Sequence, residues 1–212
     1  MNAVSKIKGL YALCDASFSP QYSHGELARL LLQGGAPVLQ LRMKDEKDLG
    51  KVEAVAEEIL EEKKRHSFVF ILNDYVELAE RLPVDGVHVG ENDLPVPEVR
   101  KRVGKNLLIG YSSHSLVEAG KAVGDGADYV AFGAIFPTKT KGPGHPVQGL
   151  EKLRELVKAI SAPLVAIGGI TRNNIDAVLQ TGVASVAMIT ALTQAPDVTE
   201  ATRWFVEKLK KR

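Results

Sequence analysis

Tyr129-Val130-Ala131-Phe132, then Gly133-Ala134-Ile135-Phe136-Pro137-Thr138-Lys139-Thr140-Lys141-Gly142-Pro143-Gly144, then apolar positions at Leu150, Leu153, Leu156, Val157 and Ile160, form the stretch whose reading decides the fold. An apolar run without polar alternation suits a strand covered on both faces, as parallel sheets require. The later spacings of three and four put one apolar stripe on a helix. Between the two lies a loop in which glycine and proline let the backbone approach a ligand closely. Its two hydroxyls and two ammonium groups suit a phosphate, although a solvated surface loop would have the same composition.

The unit recurs outward in both directions. Strands are predicted at Gly9–Cys14, Val38–Leu41, Phe68–Leu72, Gly86–Val89, Leu107–Tyr111, Tyr129–Phe132, Leu164–Ile167 and Ser185–Ile189. Helical stripes lie between them, through Leu27, Leu30 and Leu31; through Leu49, Val52, Val55, Ala56, Ile59 and Leu60; and through Ile175, Val178 and Leu179. Ser115 with Glu118, and Asp197 with Glu200, have the spacing of helix-start capping boxes, and Trp204, Phe205 and Leu209 are expected to face inward on the last helix. Eight strand-helix units in 212 residues, with no linker or low-complexity segment, predict an α/β fold of one (β/α)8 TIM-barrel domain over residues 1–212. An open, doubly wound sheet is the alternative. Against it, Asp15-Ala16-Ser17-Phe18-Ser19-Pro20 follows the first strand where a dinucleotide fold would carry its glycine fingerprint.

Composition narrows the function. Lysine and arginine exceed aspartate and glutamate by one (27 against 26), so no global basic field favours nucleic acid or an anionic membrane. The single Cys14 excludes an internal disulfide, the first residues lack the apolar centre of a signal peptide, and no apolar run approaches membrane length. A cytoplasmic enzyme or binding protein is expected, and any anion site must be local.

In a barrel of this kind the chemistry collects at the C-terminal ends of the strands. After strand two come Gln40, Arg42 and Lys44, which strand alternation would point the same way. Strand three ends in Asn73-Asp74, and strand four leads to Asp93. Two carboxylates on neighbouring strand ends suit Mg2+, which takes one or two from a protein and completes its shell with water and phosphate oxygens; both residues would also serve as helix N-caps. Strand five ends in Ser112-Ser113-His114, where Ser112 suits a hydrogen bond to a ligand and no third member of a catalytic triad is evident. Gly168-Gly169 after strand seven and Ile189-Thr190 after strand eight are the parts from which barrels build phosphate sites.

Taken together, Gln40 to Lys44, Asn73-Asp74, Asp85-Gly86-Val87-His88 leading to Asp93-Leu94-Pro95, Gly110-Tyr111-Ser112, Pro137 to Lys141, Ile167 to Ile170 and the strand-eight end resemble the thiamine phosphate synthase family, in order and in spacing. The resemblance runs from about Leu10 to the final helix. It implies a (β/α)8 fold and a transferase that couples a pyrimidine diphosphate to a thiazole phosphate, with release of pyrophosphate. By position it implies that Gln40, Arg42, Lys44 and Asn73 hold the pyrimidine diphosphate and that Asp74 and Asp93 hold Mg2+. Ser112 and Lys141 would contact the diphosphate, and Thr138, Thr140, Gly169, Ile189 and Thr190 would surround the thiazole phosphate. Arg42, Lys44, Ser112 and Lys141 are the implied catalytic groups. The partners implied are small phosphorylated substrates, with no nucleic acid and no membrane; self-association of the chain stays open.

Departures from the family pattern leave Arg42, Lys44, Asp74, Asp93 and Lys141 in place: Thr190 stands for a serine, Ala134 for a proline, Asn92 for a frequent glutamate and Cys14 for a threonine. The related thiazole tautomerases share the barrel and a Ser-x-His element, matched by Ser112-Ser113-His114, with the histidine as the proton-transfer residue. Asp74, Asp93 and the full threonine-lysine loop favour the synthase, because an isomerisation has no diphosphate to hold. A non-catalytic phosphate-ligand sensor on the same barrel is the other alternative.

Overall fold

The computed structural model describes residues 3–44, 46–138, 140 and 146–210. Its strands are β1 Gly9–Cys14, β2 Val38–Leu41, β3 Val69–Asn73, β4 Gly86–Val89, β5 Leu108–Ser113, β6 Tyr129–Gly133, β7 Leu164–Ile167 and β8 Ser185–Met188. All are parallel, and β1 pairs with β8 through Gly9↔Ser185 to Ala12↔Met188, closing the barrel. That pairing excludes the open sheet. The helices are α1 His24–Gln33, α2 Leu49–Glu61, α3 Val76–Ala79, α4 Val96–Val103, α5 Leu116–Gly124, α6 Gly149–Ala159, α7 Ile175–Leu179, α8 Thr190–Thr193 and α9 Val198–Lys210.

Side-chain alternation sorts the apolar residues into two cores. Along β1, Leu10, Ala12 and Cys14 face the helices, while Tyr11 and Leu13 fill the barrel interior with Val38, Val69, Ile71, Leu108, Val165 and Ala187. Both strand faces are buried, which is why the runs read as continuously apolar. Helix starts follow local chemistry. Ser23 and Glu26 complete a capping box on α1, with Glu26 N donating to Ser23 Oγ (3.2 Å) and Ser23 N to Glu26 Oε2 (2.8 Å). Ser115 caps α5 by accepting from Glu118 N (3.1 Å), but Glu118 accepts from His114 N (2.8 Å), so that box is half formed. Asp197 accepts from Glu200 N at the start of α9.

Three differences from expectation have simple causes. β3 is displaced by one residue because Asn73 pairs with His88, and β5 runs on through Ser112 and Ser113, which pair with Ala131 and Phe132. On α9, Phe205 and Leu209 are buried but Trp204 is half-buried, its ring covered by the Arg172 guanidinium 4.7 Å away. At about 100° per residue the buried face of α9 is centred between Phe205 and Val206, with Ala201, Thr202 and Leu209, and Trp204 falls beyond its edge. No helix among the described residues is long and apolar enough to cross a membrane.

Candidate active site

A cavity of about 360 Å³ opens at the C-terminal ends of the strands, within the size range of small-ligand sites. Gln40, Arg42, Asn73 and Ser112 line one part of it, and Thr138, Thr140, Gly169, Ile189 and Thr190 another. These residues come from β2, β3, β5 and the segments after β2, β6, β7 and β8, so only the closed barrel brings them together. Lys44 is not in the cavity wall: β2 ends at Leu41, and Lys44 sits on an exposed turn beyond the reach of strand alternation. That turn is tied down by the Tyr75 hydroxyl, which lies 2.5 Å from Met43 O and 2.9 Å from Glu46 O. Lys141 lies outside the described residues.

Arg42 is held from behind. Its Nη1 donates to Oδ2 of the buried Asp15 in an ion pair whose arginine is part-buried, and Asp15 Oδ1 accepts from Ser17 N (3.1 Å) and Ser17 Oγ (2.6 Å). With both carboxylate oxygens engaged, Asp15 fixes the guanidinium at the cavity edge without consuming the donors that face the cavity.

Asp74 and Asp93 meet side by side. Burial, then the charge of Asp93 and a hydrogen bond to it, push the Asp74 carboxyl up to about 7, while Arg42 and Lys44 act in the opposite direction. Asn73 Nδ2 donates to Asp74 Oδ2 (2.6 Å) and Gly90 N to Asp93 Oδ2 (2.7 Å). Neither carboxylate is a helix cap: Tyr75 precedes α3 and Pro95 precedes α4, both without a side-chain capping bond. Asp74 also holds a left-handed backbone, φ 69°, a region that aspartate tolerates better than most residues. Two hard oxygen donors pressed together need a proton or a cation between them, and they fit Mg2+ with the rest of its shell supplied by water and phosphate. Among the described residues no cluster of three or more His, Cys, Asp or Glu side chains is placed to hold a metal.

The far wall is built on close approaches. Gly168 and Gly169 have φ of 100° and 67°, and a Cβ would lie 2.6 Å from Ala134 at the first and 2.6 Å from Pro137 O at the second. Glycine is required there by conformation and by packing, and the result brings the 134–138 segment against the β7 end. Thr138 and Thr140 hydroxyls lie 3.0 Å apart, both at the cavity.

Sequence reasoning passed over a third feature. Tyr11 and His88 form part of the cavity floor with Tyr129 behind them, and the three are hydrogen-bonded in series to Gln40 at one end and Ser112 at the other. His114, in contrast, is outside the cavity wall, with Nδ1 3.6 Å from Glu118 Oε2. Cys14, buried behind β1, donates through Sγ to His24 O (3.2 Å), and burial pushes its thiol up.

Residues 10–192 match the family model described as thiamine monophosphate synthase. The chain belongs to the thiamine monophosphate synthase family. A thiamine-phosphate synthase from Methanocella arvoryzae is 40% identical over 195 residues, covering 92% of this chain and 91% of that protein. One from Methanoculleus marisnigri is 42% identical over 202 residues, covering 94% of each. Among solved structures, a thiamine phosphate pyrophosphorylase from Pyrococcus furiosus superposes with a TM-score of 0.85 at 36% identity, covering 98% of this chain and 99% of that one. The chain is thus a transferase of this family.

Proposed function

We propose that the protein joins 4-amino-2-methyl-5-(diphosphooxymethyl)pyrimidine to 4-methyl-5-(2-phosphoethyl)thiazole, or to its carboxylated form with release of CO2 as well, giving thiamine phosphate and pyrophosphate with Mg2+. The observation that carries this reading is the two-part wall of one cavity. Amide, guanidinium and hydroxyl groups of Gln40, Arg42, Asn73 and Ser112 face a polar ring with a diphosphate arm. The threonine loop, Gly169, Ile189 and Thr190 face a smaller phosphate.

In the chemistry proposed, the bond from the pyrimidine methylene carbon to the diphosphate oxygen breaks first. Pyrophosphate leaves with the electron pair, a resonance-stabilised pyrimidine methyl cation remains, and the thiazole nitrogen lone pair forms the new C–N bond. Charge gathers on the departing diphosphate, so Arg42, fixed beforehand by Asp15, stabilises the transition state more than the ground state. Lys44 and Lys141 are expected to add to this. When bound between Asp74 and Asp93, Mg2+ would supply further neutralisation of the leaving group. No general base is needed to ionise such a substrate. His114, the residue matched to the tautomerase element, lies outside the cavity wall, and the histidine in that wall is His88, with its ring nitrogens against Tyr129 and Ser112.

Incubating the purified protein with both phosphorylated substrates and Mg2+ should give thiamine phosphate and pyrophosphate in equal amounts. Thiazole tautomerase activity that is lost on His114→Ala, with no thiamine phosphate formed, would overturn the reading.

A further inference from the structure

The barrel interior holds a hydrogen-bond chain whose inner members, Tyr11, Tyr129 and His88, the proposed chemistry does not use. Gln40 Nε2 donates to the Tyr11 hydroxyl (3.0 Å), Tyr11 and Tyr129 hydroxyls are 2.8 Å apart, Tyr129 OH lies 3.2 Å from His88 Nδ1, and His88 Nε2 lies 2.9 Å from Ser112 Oγ. Tyr11, Tyr129, Gln40 and His88 are 2%, 0%, 3% and 5% exposed, so their polar atoms must be paired within the protein or by whatever occupies the cavity. Gly110 makes room for the chain: a Cβ there would fall 2.1 Å from the Tyr129 ring and 2.3 Å from His88 Nδ1.

Donor and acceptor counting gives the chain one direction. An amide nitrogen only donates, so the Tyr11 oxygen accepts from Gln40. Among the described residues, the only other hydrogen-bond partner of the Tyr11 hydroxyl is the Tyr129 oxygen, so the Tyr11 proton goes there. Burial raises both phenols well above neutrality, and each keeps its proton. The Tyr129 proton then points at His88 Nδ1, which accepts. The imidazole proton lies on Nε2 and is donated to Ser112 Oγ, leaving the Ser112 proton directed into the cavity. At the other end, Gln40 Oε1, bonded by no described residue, is an acceptor at the cavity wall.

We propose that Tyr11, Tyr129 and His88 are positioning residues: they lock His88 as the Nε2–H tautomer and so present an acceptor at Gln40 and a donor at Ser112 to the bound ligand. This rests on the synthase reading only for the ligand's identity. There, the exocyclic amino group of the pyrimidine matches the Gln40 acceptor, and a diphosphate oxygen matches the Ser112 donor. A ring with those polarities exchanged would leave two buried groups unpaired, which is how the relay would select its substrate.

The test uses the full chain. In protein labelled with 15N-histidine, with His88 signals assigned by their loss in His88→Asn, the ring should show a protonated Nε2 and an unprotonated Nδ1 without any substrate present. A protonated Nδ1 at neutral pH, alone or with Nε2, would overturn the proposal. Tyr129→Phe removes a single hydroxyl from the middle of the chain. It should release the tautomer preference and lower kcat/KM for the pyrimidine diphosphate about tenfold, with KM for the thiazole phosphate unchanged. Wild-type kinetics with an unchanged histidine spectrum, or an equal loss toward both substrates, would refute the positioning role. Tyr11→Phe gives the same reading from the other side if Tyr129→Phe does not fold. The tautomer measurement needs no turnover, so failure of the synthase reading and failure of the relay are told apart.

Discussion

Replacing Asp93 with asparagine should stabilise the metal-free protein at alkaline pH while abolishing metal-dependent turnover. The reason lies in the Asp74 carboxyl, which burial and then Asp93 raise from the ordinary 3.8 to about 7. That rise corresponds to roughly 4 kcal/mol between protonation states, and because Asp74 is only part-buried, solvent screening reduces the usable figure to about 2 kcal/mol. Between pH 3.8 and 7 the folded protein keeps a proton that the unfolded chain has lost. Stability from this group is therefore fully present below pH 3.8 and is lost as pH rises through 7 in the absence of metal. The Asp93→Asn change removes the second and third causes of the rise and leaves burial, so about half the effect, roughly 1 kcal/mol, should be recovered at pH 8 and almost none at pH 4. The Gly90 N–H keeps an acceptor in the asparagine carbonyl, so the turn itself should survive.

Urea unfolding of both proteins at pH 4 and pH 8, with chelator, gives the difference directly. Repeating the pH 8 measurement in millimolar Mg2+ should stabilise wild type by about 1 kcal/mol or more and Asp93→Asn by much less, since a ligand stabilises only the state that binds it. A stability difference between the two proteins that does not change with pH would refute the reasoning. So would a variant less stable than wild type at pH 8.

Three further outcomes follow from the same geometry. Asp15→Asn should leave the barrel folded but free the Arg42 guanidinium, lowering kcat by about ten- to a hundredfold with Asp15→Glu restoring part of it; circular dichroism with steady-state kinetics on both variants checks this. Gly169→Ala forces a side chain into φ 67° and against Pro137 O, so a thermal melt should show a loss of about 1–3 kcal/mol and kinetics a raised KM for the thiazole phosphate. Cys14, buried and with a thiol raised by desolvation, should resist a thiol reagent in native buffer and react stoichiometrically in denaturant.

The barrel was legible because strands buried on both faces have nothing to do but be apolar, and the eight runs stand out against the amphipathic stripes between them. Boundaries slipped where a polar residue carries strand pairing: Asn73 and Ser112 belong to β3 and β5 by hydrogen bonding, not by hydrophobicity. Lys44 marks the opposite slip, since alternation was extended past the last paired residue of β2 into a turn that the Tyr75 hydroxyl shapes. The Asp15–Arg42 pair could not be read at all, because it joins the ends of β1 and β2 and neither residue announces its partner.

The buried chain differs from these, because its signal was present in the sequence. Applying the two-residue period inside each apolar run puts Tyr11, Gln40, His88 and Tyr129 on the inward face, where barrel interiors are otherwise filled by branched aliphatic layers. Four polar groups at inward positions cost desolvation unless they satisfy one another, and contact can only occur if they lie at similar height on β1, β2, β4 and β6. The register provides this: Leu13 pairs with Gln40, His88 with Gly110, and Gly110 with Tyr129, so the gap left by glycine on β5 lets residues of β4 and β6 touch across it. A half-satisfied set would be worse than an aliphatic layer, and this one closes on itself except at Gln40 Oε1 and the Ser112 proton. Those two open valences face the cavity, so the polar layer is stable only in the arrangement that also prepares the site for a ligand.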